Sequence, residues 1–422
     1  MNDHDLSRRG FLGASGAVTA GAALSTMSAA AGERAVGANQ RLSVGIVGPG
    51  GRGSSLLRTF FAVNKGQQAD LTAVCDLWNR NRDRSSALVK QLGGQPPRVF
   101  SRLEDMLEMK GLDAVIIATA DHAHAQQLAQ CLRAGKHVYC EKPFANTLDD
   151  ANNTIDACRR SDKVITLGTQ RRSDPHYLAA QELMRTRPVG EIMRVEIVQN
   201  AYSPFRWRRD ADVKILNEKD TDWRTFLMGK ANRPFDPRQY LEFRLFRDFS
   251  SGIIDQWMTH LIDTVHMLAG GTFPRSVTAN GGNYAWRDHR QNPDTINVAL
   301  DYPQGFLASY SSTLTNGFGS GARIQGREGT LEYEKTWRLS GDGIPNSKIQ
   351  ARALEPLAGL QGNMDQIHMR NWLEYSRAGR RATNCTAEHG YQHAIACIMA
   401  TQALRTGRRV VFDEKKRTIQ EG

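Results

Sequence analysis

The chain has 422 residues, and 55 Lys plus Arg against 44 Asp plus Glu leave a formal charge of +11. A hydrophobic share of 40% and a charged share of 23% are those of a folded globular protein, which excludes a mostly disordered chain, a collagen-like repeat and a multi-span membrane protein. Lys and Arg are scattered without a long basic run, so the positive balance does not point to nucleic acid. The six cysteines, Cys75, Cys131, Cys140, Cys158, Cys385 and Cys397, form no CxxC pair and are too few for a disulfide scaffold, so they read as free buried thiols.

In chain order, the first feature is DLSRRGFLG at 5–13, followed by a weakly apolar run of Ala, Gly, Ser and Thr. That run is too short and too polar for a transmembrane helix. The sequence of charged, apolar and small-residue segments is that of a signal peptide, and the pair Arg8 and Arg9 ahead of Phe11 and Leu12 resembles a twin-arginine export signal. Residues 1–31 are therefore expected to be a leader cut near Ala29 to Ala31. The mature protein is expected in the periplasm or otherwise exported, touching the membrane only during export.

The next segment, 40–168, reads as a dinucleotide-binding domain. LSVGIV at 42–47 suits a buried parallel strand and runs directly into Gly48-Pro-Gly50-Gly51-Arg52-Gly53, a GxGxxG; apolar spacing at Leu56, Leu57, Phe60 and Phe61 then predicts a helix. The three glycines allow the tight turn, the close approach of a pyrophosphate and close helix–strand packing, with helix N–H groups aimed at the phosphates. The following strand, ADLTAVCD, ends in Asp76, a carboxylate placed to accept hydrogen bonds from adenosine ribose hydroxyls. It favours NAD over NADP, while the nearby Arg80 and Arg82 weaken that preference. Strands continue to alternate with helices: LDAVIIAT ends at Thr119, KHVYCEKP reaches Glu141 and Lys142, and KVITLGTQ ends at Gln170. This alternation predicts a doubly wound parallel α/β sheet whose strand tips carry the ligand.

GPGGRG, VCD, IIATADHAHA, AGKHVYCEKPFANT and TLGTQRRS, with SSGIIDQWMTHLIDTVHMLAG further on, resemble the glucose–fructose oxidoreductase/inositol dehydrogenase (Gfo/Idh/MocA) family over nearly the whole chain after residue 40. The resemblance implies an N-terminal Rossmann domain and a C-terminal α+β domain, 169–400, with an open, mostly antiparallel sheet whose exposed face makes a homo-oligomer, a dimer or tetramer. Strand patterns at 190–200, 274–284, 294–301, 305–313 and 322–334 agree, with DYPQG as a hairpin turn. The helices NWLEYSRAG and HAIACIMATQALRTG are expected to pack back across the domains, as is the end of the chain, 401–422.

The resemblance also implies the chemistry. Hydride transfer from a sugar carbon needs a base for the hydroxyl proton, and the cofactor supplies the electron sink. The family lysine of EKP is matched by Lys142, whose pKa a neighbouring oxidised nicotinamide would lower. The family histidine is matched by His260, one helical turn from Asp263. Family members usually carry Asp four residues before that histidine; here Gln256 holds the position and Asp255 stands five before. Either the helix entry shifts by one residue and Asp255 substitutes, or Gln256 only hydrogen-bonds substrate and the acid/base work falls on His260 and Lys142. Asp121, His122 and His124 are implied to lie against the nicotinamide ribose. Metal is not expected: the HxH pair has no Cys or carboxylate cluster at ligand spacing, and the HExxH glutamate is missing from His389 and His393. His266, His368, His389 and His393 read as packing or capping residues. The stretch 202–247 is rich in aromatic and basic side chains, Tyr202, Trp207 and Arg244 among them, and reads either as a carbohydrate subsite, joined by Arg171, or as a loop anchored by buried aromatics.

Export bears on mechanism. A compartment without a maintained NAD pool would stall a dehydrogenase that releases its cofactor, so a tightly held nicotinamide is expected. Three readings follow: a sugar oxidoreductase, an NAD-dependent glycosidase working by transient oxidation and elimination, and a non-catalytic carbohydrate-binding protein on the same fold.

Overall fold

The computed structural model describes residues 41–64 and 68–422, so the leader expected at 1–31 lies outside the described residues. The first domain is a six-stranded sheet in the order β3-β2-β1-β4-β5-β6, formed by β1 (Leu42–Val47), β2 (Ala69–Cys75), β3 (Arg98–Phe100), β4 (Ala114–Ile117), β5 (His137–Cys140) and β6 (Ile165–Leu167). Every pairing in it is parallel. β4 is buried at all four positions because helices cover both faces, the reason it reads as a continuous apolar run instead of an alternating one.

The second domain is a ten-stranded sheet. Its strands are β7 (Ile192–Asn200), β8 (Ser276–Gly282), β9 (Thr295–Tyr302), β10 (Phe306–Thr313), β11 (Gly321–Gly326), β12 (Thr330–Tyr333), β13 (Arg338–Ser340), β14 (Arg352–Ala353), β15 (Val410–Asp413) and β16 (Thr418–Glu421), in the order 14-13-12-11-7-10-9-8-15-16. Only β7 and β10 run parallel among these described pairings; the rest are antiparallel. β9 and β10 alternate buried and more exposed residues, the mark of a sheet covered on one face. The buried face packs on the helices Thr259–Ala269 and Ala387–Thr406. The expected doubly wound parallel sheet and the mostly antiparallel second sheet are both present. The run expected at 322–334 is a hairpin, broken at Gly329, where a Cβ would meet the Ser340 carbonyl at 2.6 Å.

Two late helices tie the domains together. In Met364–Ala378, Met369, Trp372 and Leu373 share a core with Leu56, Leu57 and Phe60 of the first domain. Residues 401–422 close the helix Ala387–Thr406 and then add β15 and β16 to the edge of the second sheet, with Val410 opposite Val277. Between β7 and β8 the chain builds a small separate core of Trp223, Phe226, Tyr240 and Phe249 that includes Trp78 of the first domain.

Candidate active site

Gly48 follows β1, Asp76 follows β2, Thr119 lies beyond β4, Lys142 beyond β5 and Gln170 beyond β6. All five stand at the carboxyl ends of parallel strands, where the connections change direction and open a crevice. Two compartments meet there and share Arg52, Ala118, Thr119 and Arg244 as a common wall.

The first compartment, about 390 Å³, is floored by Gly48, Gly50, Gly51, Asp76 and Thr119. Gly48 has φ +72°, and a Cβ there would fall 2.6 Å from the Thr119 side chain; a Cβ at Gly53 would fall 2.7 Å from the Gly48 carbonyl. The helix Gly51–Val63 opens without a side-chain cap, so its first N–H groups remain for a ligand. Asp76 is buried, and its two oxygens accept from the Trp78 N–H at 2.8 Å and from Asn81 at 3.1 Å, keeping lone pairs for two ribose hydroxyls. Burial pushes its pKa up to about 6. Arg80 is engaged by Asp212 at 2.9 Å, and Arg82 donates to the main-chain carbonyls of Asp76 and Leu77. A dinucleotide therefore fits this cradle: backbone without side chains under the pyrophosphate, a carboxylate for the ribose.

The roof of this compartment comes from the stretch between β7 and β8: Phe226, Met228, Tyr240 and Phe243 line it beside Trp207 and Arg244. Trp207, Tyr240 and Arg244 belong to the stretch that reads from sequence either as a carbohydrate subsite or as a loop anchored by buried aromatics; Phe226, Met228 and Phe243 carry no sequence-based role. The available signal was the pair of turns DWRTF and DPRQY, where Asp222 and Asp236 cap short helices by accepting the N–H groups of Thr225 (2.9 Å) and Arg238 (2.8 Å). His122 braces the roof: its Nε2 lies 2.7 Å from the Phe226 carbonyl, the ring packs on Phe226 and Phe249, and burial lowers its pKa to about 4. His124 braces the strand tips, with ring nitrogens 3.0 and 3.1 Å from the carbonyls of Pro143 and Thr119.

The second compartment, about 310 Å³, gathers Asp121, Lys142, Arg171, Gln256 and His260. Lys142 Nζ donates to Gln256 Oε1 at 3.0 Å and approaches the carbonyls of Gln256 and Asp255 at 3.3 and 3.4 Å. Gln256 Nε2 in turn donates to Asp121 Oδ2 at 2.6 Å, which also accepts from Ser250 Oγ at 2.6 Å. The amide thus links a lysine to a carboxylate from another strand tip. Burial lowers the Lys142 pKa, against the pull of Asp121 and Glu141. Burial, with Lys142, Arg171 and Arg52 nearby, holds the His260 pKa well below its ordinary value, so the imidazole is neutral. Its Nδ1 has no hydrogen-bond partner among the described residues.

The question left between Asp255 and Gln256 has a geometric answer. Ile254–Met258 form a π-helical turn ahead of the helix Thr259–Ala269, an insertion of one residue of the kind that collects at functional sites. Gln256 and His260 line the compartment; Asp255 does not. The Asp255 carboxylate accepts the Ser251 N–H at 2.6 Å, and burial, then Asp121, raises its pKa to about 7. What Lys142 approaches is the Asp255 main-chain carbonyl.

Other expected residues serve as braces. Arg52 donates to Glu141 at 2.7 Å and to Asp365 at 2.7 Å, clasping the glycine turn to the helix Met364–Ala378. Gln170 donates to Tyr139 and to Glu141. Arg171 is held by Glu334 at 2.8 and 3.2 Å and by Tyr177. Tyr202 is 69% exposed and lines neither compartment. Asp263 takes the Arg172 guanidinium at 2.8 Å and lies 3.4 Å from His393, a buried structural cluster. His266 faces the Tyr302 hydroxyl at 2.9 Å, and His368 lies between Ser173 and the Leu167 carbonyl.

Residues 42–169 match the NAD-binding Rossmann fold of the Gfo/Idh/MocA oxidoreductase family, and residues 227–412 match that family's C-terminal alpha/beta domain. The chain is 32% identical over 382 residues to an inositol 2-dehydrogenase of Rubrobacter xylanophilus, covering 88% of this chain and 93% of that protein. It is 26% identical to a glycosyl hydrolase family 109 protein of Shewanella baltica, over 80% of this chain and 87% of that one. An aldose–aldose oxidoreductase from Caulobacter crescentus, solved with glycerol, shares the fold with a TM-score of 0.67 at 21% identity, over 88% of this chain and all (100%) of that one. With a nucleotide cradle in the first domain, a lysine–histidine compartment beside it and both family domains matched, the chain belongs to the Gfo/Idh/MocA oxidoreductases and is a dehydrogenase-type enzyme.

Proposed function

We propose that the protein is an exported NAD-dependent dehydrogenase that oxidises a hydroxyl-bearing carbon of a sugar or sugar derivative and keeps its cofactor between turnovers. The observation that carries this reading is the meeting of the two compartments at Thr119, with Lys142 and His260 on the far side of that wall from the glycine turn. The dehydrogenase names among the relatives support a polyol or sugar substrate. Export rests on Arg8 and Arg9, and assembly into a dimer or tetramer rests on the family resemblance alone.

When bound, the nicotinamide accepts the hydride. The chain's own residues handle the proton. His260, neutral, takes it from the substrate hydroxyl. Lys142, charged and satisfied by carbonyl oxygens, stabilises negative charge as it builds on that oxygen. Gln256 holds the lysine and borrows the charge of Asp121 to do so. Asp76 favours NAD over NADP, because a 2′-phosphate would meet a carboxylate while Arg80 and Arg82 are committed elsewhere.

A second reading, redox-assisted glycoside cleavage, has its support in the glycosyl hydrolase relative. The test is to denature the purified protein, assay released nicotinamide, and screen the intact protein against sugars and aryl glycosides. Bound NAD(H) with sugar-dependent absorbance supports the dehydrogenase. Released aglycone supports the second reading. An empty protein that binds NAD only at millimolar levels contradicts the retained cofactor.

A further inference from the structure

Among the described residues, the cations lining the second compartment have polar partners with one exception: two are in ion pairs, and Lys142 is held by neutral oxygens. Arg52 has Glu141 and Asp365, Arg171 has Glu334, and Lys142 has Gln256 with Asp121 behind it. Arg244 stands in the wall common to both compartments, and among the described residues its guanidinium makes no hydrogen bond and no ion pair. It rests on the Phe243 ring, 4.4 Å from the centroid. The carboxylates within electrostatic range are already taken: Asp121 by Ser250 and Gln256, and Glu141 by Arg52 and Gln170. Glu242, next to Phe243 in sequence, is engaged by the Arg209 N–H, Arg238 and His289. Arg206 and Arg209 add positive charge, and burial already disfavours the charged guanidinium. A partly buried guanidinium without an anion is costly to hold. Its planar fork matches a carboxylate in a bidentate pair.

We propose that Arg244 anchors a carboxylate on the substrate, so that the enzyme acts on an acidic sugar, a uronate or aldonate, in preference to a neutral aldose or cyclitol. This rests on the sugar-dehydrogenase reading and adds the substrate's charge to it. One other anion reaches this cleft, the cofactor pyrophosphate. It has the glycine turn and the uncapped helix start, whereas Arg244, without a hydrogen bond or ion pair among the described residues, also lines the compartment of Gln256 and His260.

The test uses the purified holoenzyme with matched probes: D-glucuronate against D-glucose and D-galacturonate against D-galactose. Turnover is read by kcat/KM and binding by tryptophan fluorescence. The expected result is a preference for the acid of each pair. In Arg244→Gln the acid's advantage falls about 10- to 100-fold, chiefly through KM and binding, while nicotinamide retained per chain stays the same. Arg244→Lys keeps the charge without the fork and falls between the two, which preserves the test should the Gln variant fold poorly. Equal or better use of the neutral sugars by wild type and Arg244→Gln alike overturns the proposal. Loss of retained nicotinamide with unchanged selectivity assigns the cation to the cofactor and also overturns it. If no probe is turned over, the binding arm still decides: uronate affinity that is insensitive to Arg244→Gln defeats the carboxylate anchor, whereas absent turnover with sensitive binding counts against the dehydrogenase reading alone.

Discussion

The two compartments are built in different ways. The nucleotide floor comes from strand tips of one domain, set by a contiguous glycine turn and one carboxylate, and Arg80, Arg82 and Arg52 beside it are all committed to neighbouring groups. The substrate side draws Asp121, Lys142, Arg171 and Gln256 with His260 from four separate segments and two domains, and among the described residues it leaves the Arg244 guanidinium without a hydrogen bond or ion pair. The first is a preformed cradle for a constant ligand. The second is a set of long-range contacts in which a single side chain can alter chemistry or selectivity.

This contrast predicts graded effects. The largest belongs to the chemistry: Lys142→Ala and His260→Ala should each lower kcat by about 10²–10⁴-fold while retained nicotinamide is unchanged, as measured by steady-state rates beside cofactor content. Loss of cofactor instead would mean that these residues serve the cradle. Next, Gly53→Ala places a methyl 2.7 Å from the Gly48 carbonyl and should release nicotinamide and weaken NAD binding by at least about 10-fold, read by calorimetry. Gln256→Glu exchanges the donor to Asp121 for a second carboxylate. It should raise the Lys142 pKa through the added negative charge and shift the alkaline limb of the pH–rate profile upward, with kcat falling about 10-fold.

Smaller effects follow from the raised carboxylates. Asp76 accepts ribose hydroxyls best when ionised, so NAD affinity should fall as pH drops through about 6, and Asp76→Asn should flatten that dependence. The smallest effect is expected at Asp255. Its folded pKa of about 7 lies above the ordinary carboxylate value of 3.8, so the fold holds the proton longer than the unfolded chain does. Its contribution to stability is therefore greatest at low pH and declines as pH rises from about 4 to about 7. Asp255→Asn should raise the Tm near pH 8 and leave kcat within a few-fold. A collapse of kcat would restore Asp255 to the catalytic set.

The cradle was legible in the sequence because its parts are local. Gly48, Gly50, Gly53 and Asp76 lie in strand–turn–helix spacings that fix where each must go, and EKP marks Lys142 at a strand tip in the same manner. The substrate side was legible only in part. A helical repeat cannot reveal a π-helical turn, so it could not choose between Asp255 and Gln256. Nor could it show that the Gln256 amide faces Asp121, 135 residues away. The clasps of Arg52 to Asp365 and of Arg171 to Glu334 join distant segments, so no local pattern announces them. The roof of Phe226 and Tyr240 folds back through a core shared with Trp78, a contact with no periodic signature.

The central claim is that a sugar hydroxyl presented to Lys142 and His260 is oxidised by the nicotinamide of a dinucleotide whose pyrophosphate would be held at the Gly48–Gly53 turn. Its most direct test is a single-turnover titration of the as-purified holoenzyme with sugar, following reduced-nicotinamide absorbance in wild type and Lys142→Ala. The account predicts close to one reduced nicotinamide per chain in wild type and none on that timescale in the variant, although both carry the cofactor. Equal signals from the two proteins, or no signal from a wild type that demonstrably holds oxidised NAD and binds the sugar, would contradict it.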